Sequence, residues 1–187
     1  MANQLGYGER NIMLKLYKYK ETEIKEIVKS MVILVDTREK ETHITDFFDK
    51  KKIVWKSKKL DRGDYSFMIP ANPDLDIPRD LYFDNEVIIE RKGSLEEISG
   101  NLTNGRDRFE KELALSPKDK VLLLEGGGFS DIVSGNYNTK YSKKSFLASL
   151  FTFWFRYNMP IFFMPDKKYS GIFVKLFFEY YLKGELN

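Results

Sequence analysis

Three short stretches carry side chains that could act together on a phosphate ester. Asp36, Arg38 and Glu39 end one apolar run, Asp64 follows Gly63 in a turn, and Glu90, Arg91 and Lys92 close another apolar run. Two carboxylates such as Asp64 and Glu90 can hold Mg²⁺, which keeps waters and a phosphate oxygen in its remaining positions. The ion lowers the pKa of bound water and neutralises charge on phosphoryl oxygens. A neighbouring lysine, Lys92, can orient or help deprotonate the attacking water and stabilise the charge that develops. An Asp followed by Glu-x-Lys on one strand face is thus a minimal set for metal-dependent phosphodiester hydrolysis. Glu-x-Lys alone carries little, since it recurs at Glu23-Ile24-Lys25. Plainer roles exist for the same residues. Glu90 and Lys92 suit an ion pair at a sheet edge, and Asp64 suits a turn residue that accepts backbone hydrogen bonds.

The chemistry requires elements that bring these residues together. Met31 to Val35 is a continuous apolar run, as expected of a strand buried on both faces and ending at Asp36. Thr45 opens a short helix to Lys51, and Ile53–Lys59, Tyr65–Ile69, Leu81–Phe83 and Val87–Arg91 read as strands separated by turn residues. If the strands at Tyr65 and Val87 pair antiparallel, the start of one lies beside the end of the other, so Asp64 and Glu90 become neighbours. Glu90 and Lys92 then share a face, and Arg91 points to the other. Helices are expected over 94–99 and 104–115, a buried strand over Val121–Leu124, and a long helix from Ser142 to Tyr157. A last strand, Ile161–Met164, and a final helix from Tyr169 to Leu182 complete an α/β sheet with helices on both faces. Residues 1–30 read as an N-terminal extension of unknown role, with an alternating Met13–Lys20 run and a short helix near Glu21–Lys29.

Composition narrows the chemistry. The 187 residues contain no cysteine, which excludes a disulfide scaffold, a Cys-based zinc site and a Cys nucleophile, and His43 is the single histidine. Carboxylates, lysines and hydroxyls remain. The net charge of +3 is a sum of unlike parts: residues 1–60 carry +5, residues 61–90 carry −6, and residues 91–187 carry +4. An acidic stretch between basic ones suits a metal enzyme acting on a polyanion, although solvated lysines on a helix end and a strand face would give a similar count. The N-terminus has no apolar signal-peptide core, and the apolar run Phe146–Phe155 is ten residues long, about half of what a bilayer span needs. A soluble, cytoplasmic protein without a membrane segment is expected.

Read together, the motifs resemble the XPF-type nuclease domain, a branch of the restriction-endonuclease-like PD-(D/E)xK nucleases. Val35-Asp36-Thr37-Arg38-Glu39, Gly63-Asp64-Tyr65 and Glu90-Arg91-Lys92 match its successive motifs, followed by Arg106, Arg108, Phe109 and Glu110 on a helix and Leu123-Leu124-Glu125-Gly126 at a strand end. The similarity runs over about residues 31–182. It implies a restriction-endonuclease-like fold, a central mixed β-sheet flanked by helices, in a nuclease domain spanning residues 31–187. It also implies Mg²⁺- or Mn²⁺-dependent cutting of DNA at branched, flap or fork structures, in repair or recombination. On that likeness Asp64 and Glu90 are metal ligands, Asp36 is a further acidic member acting directly or through a water, and Lys92 acts on water. Arg38, Glu39 and Arg91 organise the site and the scissile phosphate, while Arg106 and Arg108 contact the DNA backbone unless they pair with neighbouring acids.

Two departures qualify the likeness. The family continues Glu-Arg-Lys-x-x-x-Asp, and Glu96 stands in the last position here. No room for a helix-hairpin-helix domain is expected after Leu182, so structure-selective cutting calls for a partner protein or a second subunit. Pairing into a homodimer through the nuclease domain is expected. A catalytically silent DNA-binding partner subunit is the competing reading, disfavoured because the acids and the lysine are all present. A sequence-specific restriction enzyme lacks support, since no base-reading element is evident. Lys140, Lys143 and Lys144 stand at the start of the long helix, where they do not help its dipole, and are further candidates for phosphate contact. The aromatics Phe151 to Tyr157, with Phe162 and Phe163, read as core or dimer interface. His43 reads as a solvated helix-start residue.

Overall fold

A computed structural model describes Leu14 and residues 17–187; the polar start of the chain and three residues of the Met13–Lys20 run lie outside the described residues. The chain order is α1 (Glu21–Ser30), β1 (Val32–Val35), α2 (His43–Lys51), β2 (Trp55–Ser57), β3 (Tyr65–Ile69), β4 (Leu81–Tyr82), β5 (Val87–Lys92), α3 (Leu95–Leu102) and α4 (Arg106–Ala114). There follow β6 (Asp119–Glu125), α5 (Phe129–Ser134), α6 (Lys143–Tyr157), β7 (Ile161–Met164) and α7 (Ser170–Leu186). The strands form one mixed sheet in the order β2-β1-β3-β5-β6-β7, with β4 paired to β3. β1 and β3 are antiparallel, as are β3 and β5, whereas β1–β2, β5–β6 and β6–β7 are parallel. Helix α2 supplies the crossover between the parallel strands β1 and β2, α3 and α4 that between β5 and β6, and α5 and α6 that between β6 and β7.

Alternation along the strands feeds two cores. On one face Ile33, Phe67, Ile89 and Leu123 pack with Ile27 of α1, Phe48 of α2 and Phe178 of α7. On the other, Leu122 and Leu124 pack with Ile98 of α3, Phe109 of α4 and Phe146 and Phe153 of α6. All four β1 residues are buried, which accounts for its uninterrupted apolar sequence. Helix α1 lies within the part of the sequence read as an extension, yet Ile24, Ile27 and Val28 are built into the first core. Helix α5, not anticipated after Gly126-Gly127-Gly128, starts from Gly128, whose amide is held by Asp131 Oδ2 at 2.7 Å. No helix among the described residues is long and apolar enough to cross a membrane.

Candidate active site

The site forms where β1 ends, β3 begins and β5 ends. The pairing Tyr65↔Ile89 brings Asp64 beside Glu90, and the amide of Asp64 donates to the Ile89 carbonyl at 2.9 Å. The amide of Arg91 donates in turn to Asp64 Oδ2 at 2.7 Å, which fixes the carboxylate against β5. Gly63 makes the approach feasible. Its φ is +72°, and a Cβ there would meet the Ile88 Cβ at 2.8 Å and the Ile89 carbonyl at 3.2 Å. Only glycine satisfies both conditions without strain.

Parity sorts the charged residues onto the two faces of the sheet. Asp64, Glu90 and Lys92 face a cleft of about 230 Å³, floored by these strand ends and walled by Arg38, Arg62, Arg108 and Phe109. Lys92 Nζ lies 2.8 Å from Glu90 Oε1, 3.7 Å from Glu97 Oε1 and 5.4 Å from the centre of the Phe109 ring. Burial disfavours its charge, but Glu90 and Asp64 outweigh that and hold the ammonium's pKa above its usual value. Asp64 is affected oppositely: burial and the adjacent Glu90 charge push it up to about 8, against the Arg91 amide and Lys92. Two carboxylates, one of which ionises only reluctantly, suit a divalent cation, and Mg²⁺ needs no more protein ligands than these. Among the described residues no group of three His, Cys, Asp or Glu side chains is placed to hold a metal.

Asp36 has a different surrounding from the metal ligation expected of it. Its carboxylate is buried and accepts from the Arg38 amide at 2.8 Å, Arg38 Nε at 2.6 Å and the Leu60 amide at 2.6 Å. Burial pushes its pKa up, yet these hydrogen bonds prevail and hold it low. With its oxygens engaged, Asp36 ties the loop before β3 to β1 and holds Arg38 at the cleft wall. Burying an ionised carboxylate is tolerable because it is paired in this way.

Behind the sheet lies a second polar cluster. Arg91 Nε and Nη2 donate to Glu39 at 2.8 and 3.0 Å, and Arg91 Nη1 donates to Glu125 Oε2 at 2.8 Å. Burial disfavours the guanidinium charge, and the two carboxylates more than restore it. Glu39 is buried too, and Arg91 keeps it below the usual carboxylate range. His43 Nε2 lies 2.8 Å from Glu125 Oε1. It is not the solvated residue expected: its side chain is 19% exposed, because α2 folds over the end of β6. Glu125 thus joins Arg91 and His43, a link hidden from sequence reading by the 82 residues between His43 and Glu125.

The expected DNA-contacting residues divide. Arg108 lines the cleft, exposed and bridged to Glu112 at 3.1 Å. Arg106 is turned inward: it bonds Glu110 at 3.0 Å and lies over the Phe153 ring at 5.2 Å. Lys140, Lys143 and Lys144 are exposed but do not line the cleft. Glu96 accepts from the Asn138 amide at 2.8 Å and so faces the loop before α6, while its neighbour Glu97 reaches towards Lys92. Arg62, read only as part of a turn, joins the cleft, and its Nε is buried without a hydrogen-bond partner among the described residues.

A family model, the ERCC4 domain, matches residues 35–177, spanning β1's last residue to α7 and every motif of the cleft. The chain belongs to the ERCC4 domain family. Among solved structures, XPF from Aeropyrum pernix is similar to this ERCC4 domain at a TM-score of 0.59 and 18% identity, over 80% of this chain and 61% of that one. The same protein in complex with DNA matches at 0.59 and 18%, over 82% of this chain and 66% of the other. The likeness shows that this ERCC4 domain has the XPF nuclease-domain fold, and the chain spans under two thirds of those proteins. No curated protein matches it.

Proposed function

We propose that the chain is a divalent-metal-dependent DNA endonuclease that cuts branched, flap or fork structures in repair or recombination. The observation that carries this reading is the placement of Asp64 beside Glu90 with Lys92 on the same face of one polar cleft. Membership of the ERCC4 family supports it, as does a DNA complex among the proteins of the same fold.

Each residue then has a physical task. Asp64 and Glu90 would hold Mg²⁺ or Mn²⁺, which supplies an activated water and neutralises phosphoryl charge. Lys92, kept protonated by Glu90 and Asp64, acts as a hydrogen-bond donor that orients the water or the phosphate rather than as a base. Arg38, steadied by Asp36, and Arg108 are aimed at non-bridging phosphate oxygens. Arg91 positions without touching substrate: its amide holds Asp64, and Glu39 and Glu125 anchor its guanidinium behind the strand.

A silent DNA-binding subunit would have no need of this assembly of carboxylates and lysine. Labelled duplex, flap and fork DNAs incubated with Mg²⁺ or Mn²⁺ test the reading. Cutting of flap or fork well above plain duplex is expected. Equal cutting of all three would remove structure selectivity, and binding without cutting would favour the silent subunit.

A further inference from the structure

Away from the active cleft, at the other end of β1, lies a larger depression of about 440 Å³. Its floor is apolar, from Val28, Met31, Ile53 and Val54. Its rim carries Lys25 and Lys29 of α1, Lys51 and Lys52 at the end of α2, and Lys175 and Lys183 of α7. The single carboxylate lining it, Glu179, is already bridged to Lys175 at 2.5 Å, and Lys25 is bridged to Glu21 at 2.6 Å. Lys29, Lys51, Lys52 and Lys183 have no ion pair with a carboxylate of the described residues. The helix dipole accounts for a lysine in the last turn of each of α1, α2 and α7. It does not account for the convergence of lysines from three helices on one concavity, a concentration of like charge that costs stability unless an anion fills it.

The chain that leaves this depression leads back to the active cleft. From Lys52 it passes along the edge strand β2, where Lys56 is exposed, then past the exposed Lys59, and reaches Arg62 in the cleft wall. Lysines on an edge strand also deter sheet-to-sheet pairing, but that purpose needs no lysines on α1 and α7. Met31 and Asp36 mark the two ends along β1, roughly 17 Å apart at ~3.3 Å per residue. That is about half of the ~34 Å turn of a DNA duplex. Lysine is a point charge that tolerates many phosphate geometries, and a track of such charges suits a continuous polyanion better than one discrete phosphate.

We infer that the lysine depression and edge strand β2 form a second binding surface for the phosphodiester backbone of DNA, holding the arm that extends from the scissile phosphate. This rests on the nuclease reading only for the name of that phosphate. Helix α1, which supplies Lys25 and Lys29, lies before the region matched by the family model, whereas Lys51, Lys52 and Lys175 lie within it.

The test measures affinity for a roughly 20-bp labelled duplex in EDTA at several salt concentrations. The proteins are the unaltered chain, Lys29→Gln/Lys51→Gln, and a control of equal charge, Lys118→Gln/Lys167→Gln. All four lysines are exposed, so folding is preserved. Losing two phosphate contacts should lower the slope of log K against log salt by about 2, with the control unchanged. Equal slopes for both variants would overturn the surface, as would an equal loss in the control. A lysine-dependent slope in a protein that never cuts would keep the surface and sink the nuclease reading instead.

Discussion

Asp64 is the residue on which the metal reading can be checked without substrate. Its folded pKa of about 8 lies above the ~3.9 of an unfolded Asp. Between these values the folded state keeps a proton that the unfolded state has released, so this group's contribution to stability falls as pH rises. The metal-free protein should therefore lose melting temperature from about pH 4 to 8 relative to Asp64→Asn, which cannot ionise. Mg²⁺ should recover several degrees at pH 8 in the unaltered protein and none in the variant. Thermal melts across that range check both statements; parallel curves for the two proteins would mean that Asp64 is not held under electrostatic pressure. Such instability in the empty site is what a functional carboxylate pair is expected to cost.

Elements decide whether these residues meet, and here the turn before β3 matters most. Replacing Gly63 with alanine forces a side chain into αL backbone and against Ile88. The two effects should cost about 2–4 kcal/mol together and displace Asp64 from Glu90. Denaturant melts with a parallel cutting assay would register both losses, and a stable, fully active variant would deny the turn this role. Most of this scale was legible in the sequence. β3 and β7 begin and end where the apolar runs do, Ser142 caps α6 as its side chain suggests, and β3 pairs antiparallel with β5, the condition under which Asp64 and Glu90 become neighbours. What escaped sequence reading depends on side chains that meet across long separations. Nothing local in His43 or Glu125 announces their pairing, and the inward turn of Arg106 onto Phe153 requires knowing where α6 packs. Glu96 was placed by family spacing, whereas the turn of helix after Ser94 carries Glu97 to Lys92.

For the whole molecule, the net charge of +3 conceals a cleft that mixes carboxylates with arginines and a lysine, and a separate depression rimmed by lysines. We also propose a homodimer. Phe151 and Phe155, one turn apart on α6, are 45% and 80% exposed, an apolar stripe that suits a second copy of the chain. Mass measured by light scattering should be near 44 kDa, twice the 22.0 kDa chain, and should halve in Phe155→Lys; a monomer at all concentrations would contradict this. The central claim is that Asp64, Glu90 and Lys92 are a metal-dependent cutting centre. It is tested most directly by single-turnover cleavage of one flap DNA with Mg²⁺ and with EDTA, using the unaltered protein, Glu90→Gln and Lys92→Met. The account predicts cutting only with the metal and a fall of about 100-fold or more in each variant, with DNA binding retained. Cutting that persists in EDTA or survives both substitutions would contradict it.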